Sequence, residues 1–141
     1  MNPLLAQIPK WEALREAART VREKAWAPYS KYHVGAAVLT DSGEIFTGCN
    51  VENASYGLTI CAERVAIWNW VSQKRKTSQL EFLVLVTDTT DPIATPCGMC
   101  LQVLSEFLSP SFPIHLANLD GIKKVVTMKD LLPMTFKLDR N

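Results

Sequence analysis

The run LEFLVLVT at residues 80–87 constrains the fold more than any other stretch of this chain. A continuous apolar run of this length is typical of a central strand that is buried on both faces. Segments with helical features lie on either side of it, at about residues 60–74 and 98–108. Because a strand buried on both faces needs helices above and below its sheet, the run predicts an α/β fold.

The rest of the sequence predicts the element order α-β-β-α-β-α-β-β-α. A first helix is expected over residues 11–25, where apolar side chains recur at helical spacing, and Pro28 ends it. Thr127 is expected to cap a short last helix. We expect a single-domain α/β/α sandwich over residues 1–141, with a mixed sheet of about five strands. The other four strands are expected at residues 33–40, 45–50, 113–118 and 123–128.

The charge balance and the N-terminus narrow the function classes. The chain has 15 Lys and Arg residues against 14 Asp and Glu residues, a formal net charge of +1. This balance offers no broad basic face to a nucleic-acid backbone, so we expect a small-molecule substrate and no polynucleotide partner. The first residues lack the features of a signal peptide, and no stretch reaches the ~20 apolar residues of a membrane span. We therefore expect a cytoplasmic protein, without a membrane partner, whose cysteines stay reduced.

Three of the four cysteines are spaced as metal ligands. Cys97 and Cys100 form a CxxC pair at the start of a predicted helix, where residues three apart share one face. Cys61 begins the helix before the apolar strand, so the fold can bring it to the same end of the sheet. The partial positive charge of a helix N-terminus favours thiolates. Three thiolates bind Zn²⁺ well and leave a fourth position open, as in catalytic zinc sites.

Glu63 follows Cys61 by two residues, and this spacing constrains the local backbone. In a regular helix, residues two apart point in different directions. Both side chains reach one pocket only if Cys61 lies at or near the N-cap, before helical geometry begins. Glu63 is then a carboxylate beside the metal that can take a proton and return it. Arg64 adds a positive charge that offsets the thiolates.

Four longer stretches resemble one enzyme family. They read APYSKYHVGAAV, GCNVENASYGLTICAERVAI, PCGMCLQVLSEF and LLPMTF, and the resemblance covers about residues 10–136. Together they are similar to the zinc-dependent cytidine deaminases, in which a CAE sequence is followed by PCxxC. The resemblance implies that Cys61, Cys97 and Cys100 are zinc ligands and that Glu63 is the proton shuttle.

The resemblance also assigns substrate contacts. Asn50 and Glu52 match the pair that hydrogen-bonds the ribose hydroxyl, and the backbone of Ala62 matches a contact to the base edge. Tyr32 stands where the family usually has a phenylalanine that stacks on the pyrimidine. These assignments favour a free nucleoside as the substrate.

Two further aromatic residues are implied to act between subunits. Tyr56 lies in a loop that closes the site from a neighbouring subunit, and Phe136 matches a C-terminal aromatic that reaches the base from another subunit. Short, three-cysteine members of the family are typically homotetramers. The resemblance therefore implies a homotetramer with shared active sites.

This chain departs from the family pattern in the second cysteine motif, which usually reads PCGACRQ. Met99 replaces the small residue, and we expect its bulk to reshape the pocket. Leu101 replaces the arginine, and its uncharged side chain leaves Arg64 to offset the thiolates with the helix dipoles. These departures bear on the substrate preference more than on the reaction.

The sequence favours hydrolytic deamination of cytidine and 2′-deoxycytidine to uridine and 2′-deoxyuridine, with release of ammonia, in pyrimidine salvage. One alternative is a deaminase of N4-modified or bulkier cytosine nucleosides such as blasticidin S. Another is a non-catalytic zinc-binding scaffold, which an intact Glu63 opposes. A polynucleotide cytosine editor is disfavoured by the low net charge. A redox protein is the weakest interpretation, because it leaves Cys61 without a role.

Overall fold

The computed structural model describes residues 3–138, and their side chains from Lys10 onward. Within this part of the chain, four α-helices, one 3₁₀ turn and five strands follow the predicted order. The elements are α1 (Pro3–Arg22), β1 (Gly35–Thr40), β2 (Ile45–Cys49), the 3₁₀ turn (Tyr56–Leu58), α2 (Ala62–Gln73), β3 (Leu80–Val86), α3 (Gly98–Ser105), β4 (Pro113–Asn118), β5 (Gly121–Thr127) and α4 (Met128–Leu131).

The five strands form one mixed sheet in the order β2-β1-β3-β4-β5. The β3 and β4 strands run parallel, and every other neighbouring pair is antiparallel. The apolar run therefore supplies the central strand, as its composition predicts. Because β3 and β4 are parallel, the chain must cross the sheet between them, and α3 makes that crossover.

Alternate residues of β3 face two separate cores. Leu83 and Leu85 pack in the larger core with Ile67 of α2 and Leu104 of α3. Val84 and its alternate neighbours belong to the smaller core, which α1 covers on the opposite face of the sheet. A strand with period-two side chains is thus buried on both faces. This arrangement confirms the predicted α/β/α sandwich.

Several predicted element ends are wrong, for reasons of tertiary pairing. Helix α1 ends at Arg22 rather than at residue 25. The next residues leave the helix because the Trp26 amide donates to the Asn50 carbonyl at 3.0 Å. Strand β1 begins at Gly35 rather than at residue 33, since Val34 donates its amide to the side chain of Asn50 instead of to a neighbouring strand.

Two further predicted ends differ from the structure. Helix α3 ends at Ser105, before the predicted end at residue 108, and β5 covers Gly121–Thr127 rather than residues 123–128. The predicted cap at Thr127 is confirmed: its hydroxyl accepts from the Asp130 amide at 3.3 Å while the Asp130 carboxylate accepts from the Thr127 amide at 2.7 Å. Among residues 3–138, no helix combines the length and the apolar character that crossing a membrane requires.

Close packing between β2 and α2 positions the first turn of that helix. A Cβ atom at Gly48 would lie 2.4 Å from both the Ala62 carbonyl oxygen and the Ala66 nitrogen. Real Cβ atoms do not approach backbone atoms this closely, so the helix backbone can rest here only because residue 48 is glycine. This contact fixes the height of the Cys61–Glu63 turn above the sheet.

Candidate active site

Two cysteines occupy the N-cap positions of the two helices that flank β3. Cys61 caps α2 with extended backbone angles (φ −81°, ψ 155°), and Cys97 caps α3 with φ −71° and ψ 167°. Neither thiol makes a side-chain capping hydrogen bond, so both stay free to point into the site. The N-cap placement of Cys61, predicted from the spacing to Glu63, is confirmed.

The two helix starts bring three sulfur atoms together. The Sγ atoms of Cys61 and Cys97 are 3.8 Å apart. All three Sγ atoms of Cys61, Cys97 and Cys100 lie within 4.8 Å of one another, so one metal ion can contact all three. Cys49 is not part of this cluster. The sequence prediction that three of the four cysteines converge is therefore correct.

Hydrogen bonds within the cysteine cluster shift the pKa values of its thiols. A hydrogen bond with the Cys100 thiol, followed by the nearby Arg64 guanidinium, lowers the pKa of Cys61 to about 5. The Arg64 Nη2 atom lies 3.6 Å from the Cys61 sulfur. The same shared hydrogen bond and burial raise the pKa of Cys100. The positive charge of Arg64 therefore lies beside the cluster.

Glu63 is a buried carboxylate in the first turn of α2. The residue is only 3 % exposed, and it lines the same cavity as Cys61 and Cys97. Burial raises the pKa of this carboxyl group to about 7. A carboxyl group with a pKa near neutrality exchanges a proton readily in either direction, which suits a group that acts as both base and acid.

The cavity beside the cysteine cluster has a volume of about 240 Å³. Residues from widely separated parts of the sequence form its wall. Sequence reasoning missed Thr87, which stands at the end of the apolar run and which the fold turns into the cavity. The candidate residues that line it are Tyr32, Asn50, Glu52, Cys61, Glu63 and Cys97.

Asn50 and Glu52 also organise the backbone of the cavity wall. Asn50 accepts from the Val34 amide at 2.8 Å and donates to the Tyr32 carbonyl at 2.7 Å. These bonds use one acceptor site and one donor hydrogen of the amide, so one of each remains. Glu52 accepts from the Tyr29 and Ser30 amides at 3.0 and 3.2 Å, and its hydrogen bonds, led by the one from the Ser30 hydroxyl, lower the pKa of this carboxyl group.

Five candidate residues do not line the cavity: Cys100 and Arg64 of the cysteine cluster, Ala62, and the two aromatic residues Tyr56 and Phe136. Tyr56 is 83 % exposed in the 3₁₀ turn, and Phe136 is 67 % exposed near the C-terminus. Neither is among the residues that line the cavity. Ala62 is fully buried at the first position of α2, where its amide has no partner within the helix.

The two departures in the second cysteine motif have different surroundings. The expectation that Met99 reshapes the pocket is wrong for the isolated chain, because Met99 is 63 % exposed and does not line the cavity. Helical geometry turns it outward between the inward-facing Cys97 and Cys100. Leu101 is buried in the larger core beside Leu104, so it contributes packing where a charge would be costly.

Residues 9–115 match the family model for the cytidine and deoxycytidylate deaminase zinc-binding region. The chain belongs to this deaminase family. A cytidine deaminase of Sporosarcina psychrophila is 43 % identical over 125 residues, which cover 89 % of this chain and 90 % of that protein. The crystal structure of a cytidine deaminase from Burkholderia pseudomallei matches with a TM-score of 0.82 and 44 % identity, covering 89 % of this chain and 98 % of that one.

A more distant member of the family is a blasticidin-S deaminase of Bacillus cereus, 31 % identical over 114 residues, which cover 76 % of this chain and 79 % of that protein. These relatives are deaminases, and the present chain is a hydrolytic deaminase enzyme. This finding overturns the alternative of a non-catalytic scaffold. The family model is described as a zinc-binding region, and the three-cysteine cluster of this chain is a group that can hold a metal ion.

Proposed function

We propose that this enzyme deaminates cytidine and 2′-deoxycytidine to uridine and 2′-deoxyuridine, with release of ammonia. The observation that carries the proposal is the position of Glu63, which is buried and lines a cavity together with Cys61 and Cys97 of the three-cysteine cluster. A buried acid–base group beside a metal site is the arrangement that hydrolytic deamination of a cytosine ring requires. The cytidine deaminases at 43 and 44 % identity support this substrate.

We propose Zn²⁺ as the metal held by Cys61, Cys97 and Cys100. A tetrahedral centre with Zn–S bonds of about 2.3 Å holds its sulfur atoms about 3.8 Å apart. The Cys61 and Cys97 sulfur atoms have this 3.8 Å separation. Sulfur is also a donor that suits zinc far better than magnesium or calcium. When bound, zinc makes a water molecule nucleophilic near neutral pH.

In this proposal Glu63 performs the proton transfers. With its pKa near 7, Glu63 accepts a proton from the attacking water and delivers it to N3 of the cytosine ring. It then takes the proton of the hydroxyl group added at C4 and delivers it to the amino group, which leaves as ammonia as the C4 carbonyl forms, so one carboxyl group serves twice as base and twice as acid. The burial of Glu63 keeps bulk water from taking its proton.

The other cavity residues are proposed to hold the nucleoside. The unused donor and acceptor of Asn50, together with Glu52, bind the ribose hydroxyl, and the Ala62 amide binds the base edge. Tyr32 supplies the aromatic wall against the pyrimidine. A site that hydrogen-bonds a sugar hydroxyl discriminates against the free base, because that base leaves the buried partners unpaired.

We propose that the enzyme is a homotetramer in which neighbouring subunits complete each site. The exposed aromatic side chains of Tyr56 and Phe136 support this assembly, since large exposed apolar groups mark interaction surfaces. Light scattering would measure the assembly. A mass of one subunit at the concentration of the activity assay contradicts it.

We also propose a cytoplasmic location and a role in pyrimidine salvage. Three reduced cysteines at the site suit a compartment that keeps thiols reduced. Conversion of free cytosine nucleosides to uracil nucleosides is a salvage reaction. The second candidate function is deamination of N4-modified cytidines or blasticidin S, which the 31 % identical blasticidin-S deaminase favours.

The decisive experiment measures ammonia release from cytidine by the zinc-loaded parent and by a Glu63→Gln variant. Glutamine has nearly the shape of glutamic acid, but its amide cannot transfer the proton. We expect the parent to release ammonia and kcat to fall about 10²-fold to 10⁴-fold in the variant, with zinc content unchanged. Equal turnover by the two proteins would show that Glu63 is not the proton carrier.

A substrate panel separates the two candidate functions. Cytidine, 2′-deoxycytidine, an N4-methylated cytidine and blasticidin S are compared by kcat/KM. The proposal requires the first two to be the best substrates. A higher kcat/KM for either of the others establishes the second candidate.

A further inference from the structure

The backbone at residues 32–34 forms one wall of the cavity and is fixed from two sides. Tyr32 and Val34 line the cavity, and Asn50 binds the Tyr32 carbonyl and the Val34 amide from within the site. The intervening His33 carbonyl accepts a hydrogen bond from Arg22 Nε at 2.9 Å. A backbone group of each of these three successive residues is therefore held by a side chain, and the Val34 carbonyl also accepts from the Asn50 amide at 3.3 Å.

Arg22 approaches the wall from helix α1, and it is only 8 % exposed. Its stem packs against the start of β1, where a Cβ atom on Gly35 would lie 2.8 Å from the Arg22 Cβ atom. The residue is absent from the cavity lining. Any effect of Arg22 on the substrate must therefore pass through the segments to which it is bound.

The same guanidinium group reaches a second wall of the cavity. Arg22 Nη2 lies 3.5 Å from the Asp88 carboxylate, and Asp88 directly follows Thr87, which lines the cavity. The Thr87 and Thr89 hydroxyl groups are 2.8 Å apart, and the Tyr32 hydroxyl lies 3.5 Å from that of Thr89. Arg22 thus connects two parts of the chain. One is the His33 backbone, next to Tyr32, and the other is the segment 87–89, which lies opposite the Tyr32 hydroxyl.

We infer that Arg22 is a positioning residue that sets the separation between the Tyr32 wall and the Thr87 wall of the substrate cavity. A planar guanidinium group suits this role, because its fixed fork of donors holds two acceptors at a set distance. A wall that drifts outward carries the Tyr32 ring away from the base. The part of this inference that is tested by nucleoside affinity rests on the proposed function.

The chain offers a matched pair of variants. Arg22 also contacts Glu23, with Nη1 3.4 Å from that carboxylate, but Glu23 does not line the cavity. Asp88→Ala and Glu23→Ala each remove one exposed carboxylate from the same guanidinium group. Only Asp88→Ala breaks the link between the walls.

We expect Asp88→Ala to raise KM for cytidine about threefold to fivefold while kcat stays within about twofold. The displaced wall weakens binding of the substrate and of the transition state equally, so KM changes more than kcat. The effect is small because the ion pair is partly exposed. Glu23→Ala should leave KM unchanged, and Asp88→Glu, which keeps the carboxylate, should restore most of the affinity. Thermal unfolding verifies that all three variants fold. Equal KM values for Asp88→Ala and Glu23→Ala would overturn the inference.

Amide hydrogen exchange tests the link without substrate. Exchange in residues 29–34 and 87–90 should become faster in Asp88→Ala and remain at the parental rate in Glu23→Ala. If the parent does not deaminate cytidine, the proposed function fails, and the exchange comparison still decides whether Arg22 holds the two walls. Unchanged exchange in Asp88→Ala refutes that role.

Discussion

His115 makes the folding stability of this enzyme depend on pH. The side chain lies on β4, is 4 % exposed, and packs beneath Trp11 with the ring centroids 3.8 Å apart. Its Nδ1 atom has no hydrogen-bond partner among the residues that the structure describes. Burial lowers the pKa of His115 from 6.5 to about 4, because the apolar surroundings oppose the charged form.

The direction and size of the effect follow from proton linkage. Since the unfolded chain takes up this proton near pH 6.5 and the folded chain only near pH 4, the contribution of His115 to stability is fully present above pH 6.5 and is lost as the pH falls toward 4. Each pH unit within this window is worth about 1.4 kcal/mol. Acidification from pH 7 to pH 5 therefore costs about 2 kcal/mol of unfolding free energy through this residue.

A His115→Leu variant isolates the contribution. Leucine is of similar size, is neutral at every pH and leaves no buried nitrogen unpaired. Urea unfolding at one protein concentration, at pH 7 and at pH 5, gives the loss of unfolding free energy for each protein. We expect the parent to lose about 2 kcal/mol more than the variant, because all other titrating groups are shared. Equal losses in the two proteins would refute the argument.

Two further predictions concern packing and the metal. Gly48→Ala should lower the unfolding free energy by about 3 kcal/mol in urea unfolding, because its Cβ atom would lie 2.4 Å from backbone atoms of α2. Gly57→Ala, whose Cβ atom would have no neighbour within 4 Å, is the control and should leave stability unchanged. Cys100→Ser should lose zinc in elemental analysis, whereas Cys49→Ser, outside the cluster, should keep it. If Gly57→Ala is destabilised as much as Gly48→Ala, the packing argument is wrong. If Cys49→Ser also loses zinc, the assignment of the metal site is wrong.

The order of the elements could be predicted from the sequence because each depends on nearby residues. The apolar run at residues 80–87 identifies the central strand, and the Cys61–Glu63 spacing identifies an N-cap. Element ends were less predictable. The end of α1 depends on Trp26 pairing with Asn50, a partner that lies far along the chain.

Periodicity and short spacings were enough to predict the fold class, the convergence of Cys61, Cys97 and Cys100, and the place of Glu63 beside them. Local backbone geometry converts such patterns directly into shared faces and shared pockets, so no knowledge of distant contacts is needed. Three features could be seen only in the folded structure. Met99 points outward, Asn50 hydrogen-bonds the backbone of the cavity wall, and Arg22 connects two walls of the cavity. Such features depend on residues distant in sequence, and they exist only once the helices have packed against the sheet.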